Sequence, residues 1–394
     1  MEVRHGSTGR DTRIDFLRGF ALLSILINHA QQIAGIYYFV PTLRHIHPGF
    51  SDSAELFVFL SGLSVALAYG PAMADFPRTG LRRIGLRILR IYGLQLSVIL
   101  AVFLLYGALS FAPPISAGPE LIAIAEHPLE SLLDALTLQL QPSYINILPL
   151  YIVLMFFTPL MLWGFRRARG LALLISVAVY VASLSLLYLG GADFIPHPEK
   201  RWSFFPASWQ LIYCAGLWAG MRWDSWKDMQ PPARMVGVAW CVLLAVSAIR
   251  IAGRFVEQDR FLEWLTLLPL NKQFLEPPLL LHFLSLYILW HRYVRRDATW
   301  LGRWPATWFR MVGRHSLELF SAGTVLSFAI ALFALEFESR LLHMGLSAIS
   351  VLISVLVARL LEPGKSEGPG TGPSAREPVS QPFKKRPRPA GRGL

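Results

Sequence analysis

The sequence predicts an all-α, polytopic integral membrane protein with about ten transmembrane helices and both termini cytoplasmic. Three observations carry that prediction. Of 394 residues, 54% are hydrophobic and only 16% charged, against roughly a quarter charged in soluble domains. Apolar runs near the length of about 20 residues that spans a bilayer recur along the chain. Lys and Arg are dense in every second connecting segment, as expected when cytoplasmic loops retain positive charge. These features exclude a soluble multidomain enzyme and a disordered chain. The net charge of +12 is spread over the cytoplasmic segments rather than gathered on one surface, which argues against nucleic-acid binding.

The spans read, in order, 14–36, 53–70, 91–111, 146–165, 170–190, 206–221, 235–253, 276–291, 314–335 and 342–361. Residues 1–13 form a cytoplasmic segment, 14–362 the transmembrane domain, and 363–394 a disordered basic cytoplasmic tail rich in Pro, Gly and Ser. The first run opens after Arg13, contains Asp15 and Arg18, and lacks a small-residue cleavage site. It reads as a span and not as a signal peptide. With the N-terminus inside, the arginines at 78, 82, 83, 87 and 90, then 166, 167 and 169, then 292 to 314, all fall inside. The outer segments hold only Arg44, Lys200, Arg201, Arg250, Arg254, Arg260, Lys272 and Arg340. Between spans 3 and 4, Leu129, Leu132, Leu133, Leu136 and Leu140 share a helical face with Glu130 and Asp134 opposite. That pattern predicts an amphipathic helix lying on the outer membrane surface. The tail cluster Lys384, Lys385, Arg386, Arg388 either touches anionic lipid or simply fixes topology. Cys214 and Cys241 both lie in apolar runs. Their spacing gives neither a disulfide framework nor a metal site.

Ionisable groups within spans are costly and mark function by default. The first span carries Arg18 and His29. Eleven residues bring a helix back to within about 20° of its starting azimuth and raise it by about 16 Å. One face therefore carries a cation near the cytoplasmic boundary and an imidazole beyond the midplane. Asp15, one turn before Arg18, is placed to pair with it. The second span opens with Asp52 and Glu55. Asp52 suits an N-cap. Glu55, followed by apolar residues, falls at the depth of His29 and is expected to orient the imidazole as a general base. Ser61 and Gly62 permit close helix approach.

The segments RDTRIDFLRGFALLSILINHA and GFSDSAELFVFLSG together resemble the OpgC family of membrane acyltransferases. The spacing of Arg18 and His29 also resembles the hallmark of the wider acyltransferase type 3 superfamily. ILPLYIVLMF (147–156), FFPASWQLIYCAGLWAG (204–220) and GRHSLELFSAGTVLS (313–327) extend the resemblance from about Arg10 to about Leu361. It implies a ten-helix, multi-pass bacterial inner-membrane enzyme. Such an enzyme moves a succinyl group from cytoplasmic acyl-CoA, as co-substrate, to osmoregulated periplasmic glucan or another glycan acceptor. By position, His29 would be the catalytic base and Arg18 a partner for the donor. Where the family typically carries Asp before the histidine, this chain has Asn28. An amide supplies no charge, so more is expected of Glu55.

Transfer from a thioester to a hydroxyl needs a base, donors for the oxyanion and cations for the donor's phosphates. Asn146, Tyr151, Trp209 and Gln210 are the candidate polar partners for oxyanion and sugar, with Asp52 beside them. For each, a helix cap or interface anchor is the simpler explanation. Arg82, Arg83, Arg87 and Arg90 are candidates for the CoA phosphates and equally for topological charge. His282, Glu276, His315 and Glu318 are open between packing and function. A secondary transporter or flippase of a glycan or acyl group also buries His, Arg and Glu. No internal repeat is visible to support that alternative.

Overall fold

A computed structural model describes residues 11–42, 51–108, 126–189, 202–252, 271–337 and 339–362. Among them every regular element is helical. In chain order these are α1 (Thr12–Ala34), α2 (Ser53–Asp75), α3 (Pro77–Ala108), α4 (Pro128–Leu136), α5 (Ile147–Arg167) and α6 (Arg169–Tyr188). Then come α7 (Pro206–Met221), the single turn α8 (Trp223–Trp226), α9 (Ala233–Ala252), α10 (Pro277–Tyr293), α11 (Ala306–Arg314), α12 (Ser316–Phe337) and α13 (Arg340–Leu361). Six of the described helices are long and apolar enough to cross a membrane: α2, α3, α5, α6, α12 and α13. The other four expected spans correspond to α1, which carries Arg13, Asp15 and Arg18, to α9, and to the shorter α7 and α10, of 16 and 17 residues. The tail expected to be disordered lies outside the described residues.

Two close helix crossings set the core. Gly216 and Gly220 on α7 form a small-xxx-small pair facing Gly62 and Ala66 on α2. A methyl added at Gly216 would lie 2.1 Å from the Phe59 carbonyl oxygen, and one at Gly62 2.2 Å from that of Tyr213. Backbones this near are what glycine at a crossing permits. The second crossing joins α1 to α11 through Gly19 and Gly313. A methyl at either would fall within 2 Å of a carbonyl oxygen on the other helix. Along α1 runs α12, whose Ser327 hydroxyl donates to the Leu26 carbonyl at 2.9 Å. Around this centre α6, α9 and α13 turn Leu174, Leu244, Leu356 and their neighbours outward, the surface a lipid-facing helix presents.

Three boundaries differ from expectation. The Arg-rich stretch expected as a loop before residue 91 is the start of α3, which runs 32 residues from Pro77. Its leucines and isoleucines keep helical spacing and no proline interrupts them, so charge marks the membrane edge and not the helix end. Second, α2 continues past residue 70 to Asp75 through Pro71. The Arg166 guanidinium donates to the Gly70 carbonyl next to the proline, tying α5 to this part of α2. Third, the charged segment ahead of residue 314 contains α11, separated from α12 at His315. The amphipathic helix expected between spans 3 and 4 is α4. Its Leu129, Leu132, Leu133 and Leu136 are exposed, while Ser131 and Ala135 are buried against the protein.

Candidate active site

A cavity of about 380 Å³ opens at the His29 end of α1. Asn28, His29 and Gln32 line it from α1, and Asp52 and Ser53 from the start of α2. Ser143, Tyr144 and Asn146 line it from the approach to α5, with Phe204, Lys272 and Phe320 completing the wall. Four of the expected residues, Asn28, His29, Asp52 and Asn146, are thus brought together.

His29 is half-buried, and its ring lies 5.0 Å from that of Tyr144. Its Nδ1 is enclosed and makes no hydrogen bond among the described residues. The charges acting on it are the Asp52 carboxylate and the Lys272 ammonium. The Asn28 side-chain oxygen accepts from the Thr42 hydroxyl at 3.0 Å, so the amide orientation is held from the segment after α1.

Glu55 is not hydrogen-bonded to His29. It completes a capping box instead: the Asp52 side chain accepts from Ala54 N at 2.9 Å, and Glu55 Oε2 accepts from Asp52 N at 2.8 Å. The sequence spells this signature, an acidic N-cap with Glu three residues on. Glu55 Oε1 faces Lys272 Nζ at 3.8 Å, and Asp52 Oδ2 lies 2.5 Å from the same ammonium. Asp52 is therefore both helix cap and the carboxylate that acts on His29. Burial works against its charge, but the Lys272 ammonium and the Ala54 N–H hold its carboxyl below the usual carboxylate range.

Sequence reasoning missed Lys272 and Tyr144. Lys272 sits in a 3₁₀ turn, Lys272–Phe274, capped by the Asn271 side chain. Trp209, fully buried, donates through Nε1 to the Lys272 and Gln273 carbonyls at 3.1 Å each. Phe205 N donates to Gln273 O at 2.8 Å, and Gln273 Nε2 donates to Trp202 O at 2.7 Å. Glu276 accepts from Asn271 N and from the Tyr188 hydroxyl. The signal for Lys272 was a lone outer cation among few. Tyr144 adopts φ +70°, a left-handed conformation that β-carbons disfavour and that marks imposed strain. No sequence pattern announces it.

The remaining expected residues lie elsewhere. Trp209 holds the Lys272 turn and does not line the cavity. Gln210 is spent between α6 and α7: its Nε2 donates to Ser176 O, and its Oε1 accepts from the Ser176 hydroxyl, each at 2.7 Å. The Tyr151 hydroxyl donates to Phe57 O at 2.8 Å and meets Ser61 Oγ at 2.5 Å, joining α5 to α2. His282 Nδ1 meets Ser51 Oγ at 2.6 Å and fixes the residue before Asp52.

At the opposite end of α1, Arg18 donates to the Ser64 hydroxyl at 3.4 Å and to that of Ser316. Asp15 faces Arg314 Nε at 3.8 Å. On α3, Arg83, Arg87 and Arg90 share one face. Arg83 lies over the Tyr69 ring, Arg90 pairs with Glu318, and Arg87 is half-buried. Arg82 points to the surface. Among the described residues no group of three or more His, Cys, Asp or Glu could hold a metal ion.

In comparison with known proteins, a family model described as OpgC protein matches residues 10–366. No match was found among curated proteins or among solved structures. With nearly the whole chain covered, from before α1 to beyond α13, the protein belongs to the OpgC family.

Proposed function

We propose that the protein is a membrane O-acyltransferase. It moves an acyl group, succinyl in the family expectation, from cytoplasmic acyl-CoA to hydroxyls of periplasmic glucan or a related exported glycan. The proposal includes ten spans, both termini cytoplasmic, and a bacterial inner-membrane location. The observation that carries it is the placement of His29 in a cavity lined mostly by neutral hydrogen-bonding groups, on the same helix face as Arg18 and about 16 Å along the axis from it. Asn28, Gln32, Ser53, Ser143 and Asn146 suit a polyhydroxyl acceptor, while Phe204 and Tyr144 offer ring faces to a sugar.

In the reaction, the enclosed Nδ1 leaves Nε2 of His29 to take the acceptor hydroxyl proton. The oxygen attacks the thioester carbonyl carbon to form a tetrahedral oxyanion. The amides of Asn28 and Asn146 are the donors available to that charge. The intermediate collapses, the C–S bond breaks, and the imidazolium proton neutralises the departing thiolate. Asp52 stabilises the imidazolium formed meanwhile. Arg18, with Arg83 and Arg87 near the Arg18 end, holds the donor's phosphates, while Arg90 is committed to Glu318.

The test is transfer of isotope-labelled acyl groups from acyl-CoA to glucan by the purified protein in proteoliposomes. His29→Ala should lower the rate by about 10²–10⁴, the range general-base catalysis supplies. Full transfer by folded His29→Ala protein would overturn the assignment.

A further inference from the structure

A second cavity, of about 740 Å³, lies at the other end of α1. It is lined by five cations, Arg13, Lys227, Arg292, Arg295 and Arg296, against two carboxylates, Asp228 and Asp297. Arg13 precedes Arg18 by five residues, which places them about 140° apart around the helix. Arg13 accordingly turns away from the catalytic face. Its guanidinium donates to Lys227 O at 2.7 Å and Val294 O at 3.2 Å, on the opposite side from Ser64 and Ser316. The reaction proposed above makes no use of this cavity.

The local carboxylates fix several of these cations in place. Asp11 holds Arg13 through contacts at 2.8 and 3.1 Å, Asp224 holds Lys227 at 2.6 Å, and Asp297 holds Arg295 at 3.1 Å. Arg292 differs. Its partners are neutral, Gln230 Oε1 at 3.2 Å and the Tyr293 ring at 5.8 Å. No carboxylate pairs with it among the described residues. A preorganised guanidinium with unspent charge, inside a cationic concavity, is the chemistry that recognises a phosphate.

What stands beside the cavity indicates the source. Tyr293 and Trp240 are both exposed, and the Trp240 indole donates to the Tyr293 hydroxyl at 3.2 Å. Such a pair belongs to the headgroup level of a bilayer. Beyond it α9 exposes Val238, Leu244 and Ile251, an aliphatic face on which acyl chains can lie. We propose that this cavity binds the phosphate of an anionic phospholipid in the cytoplasmic leaflet; only the naming of that leaflet rests on the orientation given above.

The test uses the full-length protein in detergent micelles. Tm is followed while phosphatidylglycerol, phosphatidylcholine, inorganic phosphate or adenosine 3′,5′-bisphosphate is titrated in, and native mass spectra record retained lipid. Phosphatidylglycerol should raise Tm saturably and be retained, with phosphatidylcholine inert. Replacing Arg292 together with Arg296, which stands 3.9 Å from the Asp228 carboxylate, as Arg292→Gln with Arg296→Gln, should weaken the apparent affinity about 30-fold. Arg292→Lys, which keeps the charge and the fold, should retain most of it. Equal responses to the two lipids by the wild type, or an unchanged response in the double variant, would overturn the site. A Tm rise with the soluble phosphates but not with phosphatidylglycerol would overturn the lipid and leave a free phosphate as the ligand. None of these readings depends on acyl transfer, so they stand apart from the His29 test.

Discussion

Asp52→Asn separates two roles that one side chain combines. As an N-cap, Asn is about as good as Asp. The variant therefore keeps an oxygen for the Ala54 N–H, and Glu55 still accepts from the backbone N–H of residue 52. The fold should lose little: Lys272 keeps Glu55 at 3.8 Å, and the lost pair has both side chains about a third exposed. A pair so placed is worth about 1 kcal/mol at most. The chemistry should lose more, because His29 gains a positive charge as it takes the proton. Both side chains lie on the wall of one cavity, and a unit charge acting over a cavity-sized separation at an effective dielectric of 20 contributes on the order of 2 kcal/mol, or roughly 30-fold in rate. The Asp52 carboxyl is held below its ordinary range, so that charge is complete at neutral pH and fades only in acid. The assay is kcat for labelled acyl transfer in proteoliposomes, with Tm recorded on the same preparation. Expected is a fall of roughly 30-fold at nearly unchanged Tm. Asp52→Ala should add the loss of the cap, about 1 kcal/mol of stability. An unchanged kcat in folded Asp52→Asn protein would refute the electrostatic role, and a rate loss matched by lost folded protein would reduce Asp52 to a cap.

Two further predictions concern the frame around the site. Gly313→Ala puts a carbon 1.9 Å from the Asp15 carbonyl oxygen, where such carbons stay beyond 3.0 Å; the forced parting of α1 and α11 should cost about 1–3 kcal/mol, read as a lower Tm in detergent. Trp209→Phe keeps the ring but removes the donor shared by the Lys272 and Gln273 carbonyls, so stability should fall by about 1 kcal/mol and KM for the glycan should rise more than kcat falls.

The two ends of α1 were legible because both of their signals are local. Arg18 and His29 are joined by helical arithmetic alone, and Asp52 is marked as an N-cap by its place before an apolar run. The part that escaped depends on contacts across the chain. Lys272 reaches His29 only because a turn far along the sequence is held by Trp209, Phe205 and Trp202. Glu55 looked like the partner of His29 because depth can be counted along a helix, whereas azimuth against a neighbouring helix cannot. The Asp52 capping box turns Glu55 back toward its own backbone and toward Lys272, and that leaves Asp52 to act on the imidazole. Trp209, Gln210 and Tyr151 were recognised as polar groups near helix ends, but their hydrogen bonds go to packing.

The charge that composition shows as a single figure divides physically by the partners each cation finds. Along α1, Arg13 is buried to 4% exposure and satisfied by Asp11 and two carbonyls, so its replacement would leave backbone acceptors unsatisfied. Arg18 donates to two hydroxyls, those of Ser64 and Ser316, which fix its direction. A guanidinium matched by a carboxylate is committed to the fold, and one matched by neutral groups keeps its field for an anion. That criterion selects Arg292 at the second cavity. It sets Lys272 apart, because two carboxylates share that ammonium and it brings little net charge to the acceptor site. A site so balanced suits an uncharged, hydroxyl-rich acceptor, with the phosphates of the donor held at the other end of the same helix.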